Sequence, residues 1–424
     1  MKIKTKTKSY REVVSIAKKK HKKPIRPNIF WRTLINVLSR IMLVPLHFKS
    51  VKKGMEKLSR RQPALFLMNH SCFNDFEIAS MLLYPRVYNV VSTTDGFVGM
   101  NWLMRQIGCI PTQKYITDVT LVRDLTYTVR KLKSSVLMYP EACYSFDGRA
   151  TTLPDSLGGL VKMLKIPVVM ITTRGAFLRN PLYNNLQIRK SVKVSAEMEY
   201  LLSPDEIKEM SVDDINAKLR GAFDFDNFRW QQENKISIPD AFRADSLNRV
   251  LYKCPSCKKE GKTVGKGTKL TCNACGKEYE LTEYGFMKAL EGDTEFSHIP
   301  DWYSWERECV RAEIERGEYS LDIDVDICML VDTKCLYRVG EGRLTHTPDG
   351  FHLTGCDGEL DYTQKTKSSY SLNVDYYWYE IGDIICLGNH EVSYYCFPKN
   401  CGDVVAKTRL ATEEMYKLAE AKKA

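Results

Sequence analysis

Histidine is scarce in this chain, seven among 424 residues, so one placed in a polar turn carries information. Acidic residues are nearly missing from the first sixty positions. There Glu12 and Glu56 stand against eighteen Lys and Arg, a net of +16, and the remaining 364 residues sum to −5 within a total of +11. That excludes a uniformly basic body. The charge belongs to an N-terminal arm, which seeks a polyanion, an anionic membrane face or nucleic acid, or else stays solvated over residues 1–23. Unbroken apolar runs of the ~20 residues that a span requires are also lacking. The nearest stretch, IFWRTLINVLSRIMLVPL, is interrupted by Arg32 and Arg40. Its apolar residues recur at helical spacing, so an amphipathic interfacial helix with a basic lead-in is expected; the other reading packs it on its own domain. No small-residue cleavage site follows the arm, which argues against a cleavable signal. Internal repeats and long low-complexity tracts are missing, which excludes repeat arrays.

Cysteine, by contrast, is plentiful at fourteen. Four fall in two CxxC pairs, and the others are scattered, several in apolar runs. With no signal pattern this excludes an extracellular disulfide framework, and a reducing compartment is the natural reading. The expected location is cytoplasmic, peripheral on the cytoplasmic face of the membrane.

The length implies two to four domains, because single cores stop growing near ~250 residues. From residue 63 to about 200, short apolar strands (ALFLM, VYNVVST, SVLMYP, IPVVMITT) alternate with helical patterns such as NDFEIASMLL and VTLVRDLTYTVRKLK. This predicts an α/β domain whose mixed sheet is covered by helices. Ser203 before Pro204, Asp205 and Glu206 predicts a helix start. From about 325 the texture is β, with a Pro-Asp-Gly turn inside HTPDGFHL that predicts a hairpin, and the chain closes on a helical LATEEMYKLAEAKK. The expected organisation is a basic arm and interfacial helix (1–55), an α/β domain (56–235), a small metal ribbon (250–285) and an accessory helix with a mainly β domain (286–424).

His70 directly follows a buried strand in MNHSCFND, where open α/β sheets carry their sites. Asp75 opens the next helix and can fold back on the imidazole, fixing the tautomer so that the other nitrogen takes a proton from a hydroxyl. The competing reading is a helix cap by Asn69, Ser71 or Asn74, with Asp75 favouring the helix dipole. Three further blocks follow in order: GCIPTQK (108–114), YPEACYSFDGRATTLP (139–154) and IPVVMITTRG (166–175).

The order NH-x4-D, G-x5-[RK], PE-x3-S and xPVV resembles the four blocks of the glycerolipid acyltransferases, in particular the 1-acylglycerol-3-phosphate acyltransferases, over residues 60–200. The resemblance implies His70 as general base, Asp75 as its partner, and direct attack of an acceptor hydroxyl on an acyl thioester, acyl-CoA or acyl carrier protein. The acceptor it implies is a lysophospholipid, foremost 1-acylglycerol-3-phosphate. Lys114 falls where the family carries an arginine near the acceptor phosphate, Glu141 matches the third-block glutamate, and Pro167 opens the fourth block. Ser145, Gly148, Arg149 and Arg174 complete the substrate-binding candidates. The third block departs from the family's E-G-T-R-S: Ala142 stands for glycine and Tyr144 for arginine. Lysine at 114 offers no bidentate fork either. A different lipid acceptor is therefore the alternative substrate, with Arg149 and Arg174 as candidates to compensate.

Cys254, Cys257, Cys272 and Cys275 form two C-x2-C pairs separated by fourteen residues, the pattern of a structural Zn2+ ribbon; four thiolates leave no open catalytic position. Seven lysines lie between Tyr252 and Lys277, but stacking aromatics are few, so nucleic acid is not the expected partner. A nonenzymatic protein- or nucleic-acid-binding protein is the alternative class. GEGRLTHTPDGFHLTG faintly resembles the first hairpin of pleckstrin-homology-like or GRAM-like modules. His298, His346, His352 and His390 are read as structural.

Overall fold

The computed structural model describes residues 2–17, 20–116 and 118–422. The arm holds β1 (Thr5–Thr7), α1 (Tyr10–Val14) and α2 (Ile29–Leu43). The α/β domain runs β2 (Lys49–Lys53), β3 (Leu65–Met68), α3 (Asp75–Leu83), β4 (Tyr88–Thr93), α4 (Asn101–Gln106), β5 (Cys109–Thr112), α5 (Val119–Arg130), β6 (Ser135–Met138), α6 (Ser156–Leu164), β7 (Val168–Arg174), α7 (Ala176–Arg179), β8 (Ser195–Leu202), α8 (Pro204–Glu209), α9 (Val212–Ala222) and α10 (Asn227–Glu233). The ribbon holds β9 (Thr263–Lys266), β10 (Lys269–Cys272), β11 (Glu278–Leu281) and β12 (Met287–Ala289). Then come α11 (Ile299–Glu315), β13 (Leu321–Leu330), β14 (Leu336–Thr347), β15 (Gly350–Gly355), β16 (Leu360–Lys365), β17 (Asn373–Trp378), β18 (Gly382–Gly388), β19 (Ser393–Lys399) and α12 (Val405–Ala421).

The first sheet is ordered β2-β8-β7-β3-β6-β4-β5. Five strands, β7 through β5, run parallel; β8 is antiparallel to β7 and parallel to β2. The sheet is mixed, as expected. β3 is central and wholly buried: Phe66 and Met68 face the core under α3, while Leu65 and Leu67 face the core under α5, α6 and α9. Burial on both faces is why this strand reads as an unbroken apolar run. Because β3, β4, β5, β6 and β7 are parallel, the residues just beyond each of them gather at one edge of the sheet, and there the site lies.

The arm does not hang free. β1 pairs in parallel with β14, Thr5 opposite Leu336, and Val13 is fully buried. Asn89 donates to the carbonyl of Ile25 (2.9 Å), and Arg105 to those of Lys22 (3.2 Å) and Lys23 (2.8 Å). β2, inside the 1–55 segment, is the edge strand of the α/β sheet.

Ser203 caps α8 in a capping box with Glu206, as the sequence predicts. The second large sheet is ordered β16-β15-β14-β13-β19-β18-β17, and α12 packs on β17 and β18. The predicted hairpin is present, with Thr347 opposite Gly350 around Pro348 and Asp349. β14 runs as one strand from Leu336 to Thr347 through Gly340 and Gly342. Gly342 marks a close approach: a Cβ there would meet the Thr354 carbonyl at 2.1 Å.

Candidate active site and metal centre

β3 ends at Met68 and the chain turns sharply into α3. Buried Asn69 pins this turn to β7: its Oδ1 accepts the Thr173 N–H (2.7 Å) and its amide donates to Ser71 Oγ (2.8 Å). The turn brings His70 Nδ1 to 2.9 Å from Asp75 Oδ2. No side chain caps α3 at Asn74. Instead the same Oδ2 accepts the N–H groups of Ser71 (2.7 Å) and Cys72 (3.1 Å). Two N–H donors already point at this oxygen, so the network makes Nδ1 the donor of the third bond and leaves Nε2 outside the contact with Asp75. The imidazole lies between two rings, Tyr139 at 4.6 Å and Tyr144 at 4.0 Å between centroids. Its side chain keeps 20% exposure.

Glu141 follows β6 and is fully buried. Its Oε2 accepts the His70 N–H (2.9 Å) and its Oε1 the Thr151 N–H (2.8 Å), tying the third block to the first. Burial pushes its carboxyl up to about 7, against the N–H bonds from Thr151 and His70 and the charge of Arg409. A carboxyl raised on folding adds stability that is complete below its unfolded value of 4.5 and lost as pH rises through about 7. That interval corresponds to about 3 kcal/mol. Glu141→Gln should therefore flatten the fall in stability between pH 4 and 8 by about that amount, read from urea midpoints across the range. Parallel profiles for the two proteins would mean that the carboxyl is not desolvated.

Arg409, on α12, is the residue sequence reasoning missed. It is buried, donates to the Tyr144 carbonyl (3.3 Å), lies 4.9 Å from the Phe146 ring and pairs with Glu413 at 3.1 Å. Ser371 and Arg307 also hold Glu413. The accessory domain thus grips the third-block loop, and nothing local in the sequence marks a contact between residues so far apart.

The remaining candidates separate. Ser145 Oγ donates to the Arg149 carbonyl (2.6 Å) and accepts the Gly148 N–H (2.9 Å), which closes the turn. Gly148 has φ +89°, and a Cβ there would meet Phe177 at 2.9 Å. Arg149 is taken up by Asp226 (3.0 Å), Asp301 (2.7 Å) and Ser304 (3.2 Å), and Asp226 in turn meets His298 at 2.8 Å. These three residues shape the loop and bind it to α10 and α11. Arg174 ends β7 on the His70 edge of the sheet. Lys114 lies just past β5, with Cys143, Asp375 and Asp95 as its charged or polarisable neighbours.

The four cysteine sulfurs lie within 4.8 Å of one another, with 3.8 Å between Cys254 and Cys275 and 3.7 Å between Cys257 and Cys272. Each pair sits in a tight turn flanking the β9–β10 hairpin. Four convergent sulfurs make a cluster able to hold a tetrahedral metal ion.

Residues 49–174 match the family model described as Acyltransferase. The chain carries a domain of the acyltransferase superfamily, and all four sequence blocks begin within the matched stretch. A solved structure similar to the chain is the 1-acyl-sn-glycerophosphate (LPA) acyltransferase, PlsC, from Thermotoga maritima, with 16% identity and a TM-score of 0.34 over 45% of this chain and 78% of that one. No curated protein matches.

Proposed function

We propose that the protein is a membrane-associated acyltransferase. It moves a fatty acyl group from an acyl thioester, acyl-CoA or acyl carrier protein, to a hydroxyl of a lysophospholipid, with 1-acylglycerol-3-phosphate the first acceptor to test. The observation that carries this reading is the oriented His70–Asp75 pair inside the matched domain. Nε2 takes the hydroxyl proton as the oxygen attacks the thioester carbonyl. A C–O bond forms, the C–S bond breaks, and the imidazolium returns the proton to the leaving thiolate. Asp75 and the two flanking tyrosine rings stabilise the imidazolium in between. Zn2+ fits the cysteine cluster in a structural role, since four thiolates close its shell. The sheet of β13–β19, joined by β1 and closed by α12, supports a pleckstrin-homology-like reading of the tail. The ribbon lysines speak against nucleic acid: Lys253 pairs with Glu260 and Glu313, Lys269 with Glu278, and Lys258 lies over Trp305.

α2 supports membrane docking. With the turn after it, Ile29–Leu46 is by length and composition long and apolar enough to cross a membrane, more than the sequence pattern led us to expect. Its orientation is inverted for a soluble protein. Asn36, Ser39 and Leu43 are its buried residues, while Ile41 is 63% exposed and Phe30, Val37, Leu38 and Met42 also face outward. Trp102 of α4, 66% exposed, extends this face and meets Trp31 edge-on at 5.7 Å. An apolar face of that extent marks a membrane or protein contact, and the basic arm beside it favours anionic lipid on the cytoplasmic side. Ile41→Glu with Trp102→Glu should cut sedimentation with anionic vesicles at least about tenfold, since each buried side chain contributes about 1.5–3 kcal/mol, and leave the melting temperature unchanged. Undiminished vesicle binding would exclude this face as the dock.

One observation favours a second acceptor reading, a lipid without a phosphomonoester. Tyr144 stands where the family's arginine would be, and Lys114 has Asp375 and Asp95 as neighbours. The deciding experiment offers labelled acyl-CoA and acyl carrier protein thioesters to purified protein in anionic vesicles, with a panel of lysophospholipids and other monoacyl lipids. Transfer to any of them supports the reaction. No transfer by folded, metal-loaded protein would remove it.

A further inference from the structure

The seam between the two large domains encloses a cavity of about 290 Å3. The ends of β4 and β5 supply one wall, with Thr94, Asp95, Gln113 and Lys114. β16, β18 and the segment 368–373 supply the other. Open α/β sheets carry ligands at this edge. Twelve of the twenty-three lining residues are Ser, Thr, Asn or Gln, against two charged ones, so the wall offers both hydrogen-bond donors and acceptors and little net charge.

Among the described residues, one buried atom in the wall lacks a hydrogen bond and one cation lacks an ion pair. Gln113 Oε1 is buried without a hydrogen bond, although its Nε2 reaches Ser393 Oγ at 3.5 Å. Lys114 closes no ion pair among the described residues; Asp375 and Asp95 act on it only at longer range. An unpaired buried polar atom is costly, and a bound hydroxyl, which both donates and accepts, would relieve Gln113 and accept from Lys114. A phosphate dianion fits poorly, because the Asp95 carboxylate lines the cavity together with Lys114 and offsets its charge. The cavity is separated from His70 by one loop. Tyr115, in its wall, donates to the Glu141 carbonyl (3.1 Å), and Cys143 Sγ touches Leu372 and Asn373 at 4.0 and 3.9 Å.

We infer that this interdomain cavity is a binding site for an uncharged, polyhydroxylated lipid head group, such as a glycosyl glycerol, with Gln113 and Lys114 as its central contacts and Asp95 as the residue that rejects a phosphomonoester. The head group belongs either to the acyl acceptor, which rests on the acyl-transfer reading, or to a second lipid held beside the site.

The test uses the full chain in neutral detergent and two probes with the same single hexanoyl chain, a glucosylglycerol and a glycerol 3-phosphate, followed by calorimetry. The wild type should bind the neutral probe at least tenfold more tightly. Gln113→Leu and Thr363→Val should each weaken the neutral probe several-fold, and Asp95→Asn should tighten the phosphate probe about tenfold. Equal or tighter binding of the phosphate probe by the wild type, or binding of neither, overturns the inference. Acyl-transfer assays with both probes then separate the sources. Acylation of the glucosyl probe identifies it as acceptor. Acylation of the phosphate probe alone, with the glucosyl probe still bound, identifies a second lipid. Binding without transfer to any acceptor sinks the reaction and leaves the site.

Discussion

His70→Ala should abolish acyl transfer, with a loss of about 10²–10⁴-fold for removal of a general base, and should leave the fold intact. The ring packs between Tyr139 and Tyr144, but its exposure of 20% means that no deep cavity follows its removal. The bond from Glu141 Oε2 runs to the backbone N–H of residue 70, so the tie between the first and third blocks survives in the variant. Asp75→Asn is the sharper companion. Asparagine can still accept the N–H groups of Ser71 and Cys72 through its oxygen, which preserves the turn. It no longer holds a negative charge against the imidazolium, so kcat should fall more than KM rises. The measurement is initial-rate kinetics on each variant, with circular dichroism and melting curves alongside. Retained turnover in a well-folded His70→Ala protein would remove His70 as the base.

The site's local parts were legible because they are local. Asn69, His70 and Asp75 share one turn after an all-apolar strand, and a carboxylate five residues on can fold back to its histidine. The two CxxC pairs were legible for the same reason. Burial on both faces made β3, β4, β6 and β7 readable as apolar runs. β5, with Pro111 inside four residues, shows no strand pattern, and its role emerges only from pairing with β4. The parallel contact of Thr5–Thr7 with β14 leaves no mark in either segment, so residues 1–23 read as solvated or as seeking a polyanion, membrane or nucleic acid. Ser145, Gly148 and Arg149 show the opposite difficulty. The block pattern marks them, and the structure spends their polar groups on the loop and its anchorage to α10 and α11. Arg409 was beyond reach, since an arginine on a terminal helix is ordinarily a solvated charge, and only tertiary packing brings it to Tyr144.

The second large effect should come from the cysteines. Cys254→Ser, or prolonged chelation of the purified protein, should eliminate the bound metal and unfold the ribbon, and acyl transfer should fail with it although none of these four sulfurs belongs to the His70 site. Structural zinc contributes about 10–16 kcal/mol in isolated fingers, which matches or exceeds the whole stability of an ordinary domain, about 5–15 kcal/mol. The ribbon's own core is small: Leu270, Tyr279, Leu281, Met287 and Ala289. The damage should spread because these residues belong to one continuous core with Trp302 and Val310 of α11 and with Phe146 and Phe177 of the α/β domain. Trp302 stacks edge-on against Tyr279 at 5.0 Å and donates to the Lys253 carbonyl (3.0 Å), while buried Glu306 accepts the Lys253 N–H (2.8 Å). α11 also provides Asp301 and Ser304 to Arg149 and Arg307 to Glu413, the partner of Arg409. Loss of the ribbon should therefore loosen α11, then the third-block loop, and finally the Glu141 tie to His70. Metal analysis should find one Zn2+ per wild-type chain and none in the variant, with new proteolytic cleavage between residues 250 and 290. An unchanged melting temperature and full activity after complete chelation would show that the ribbon folds without metal.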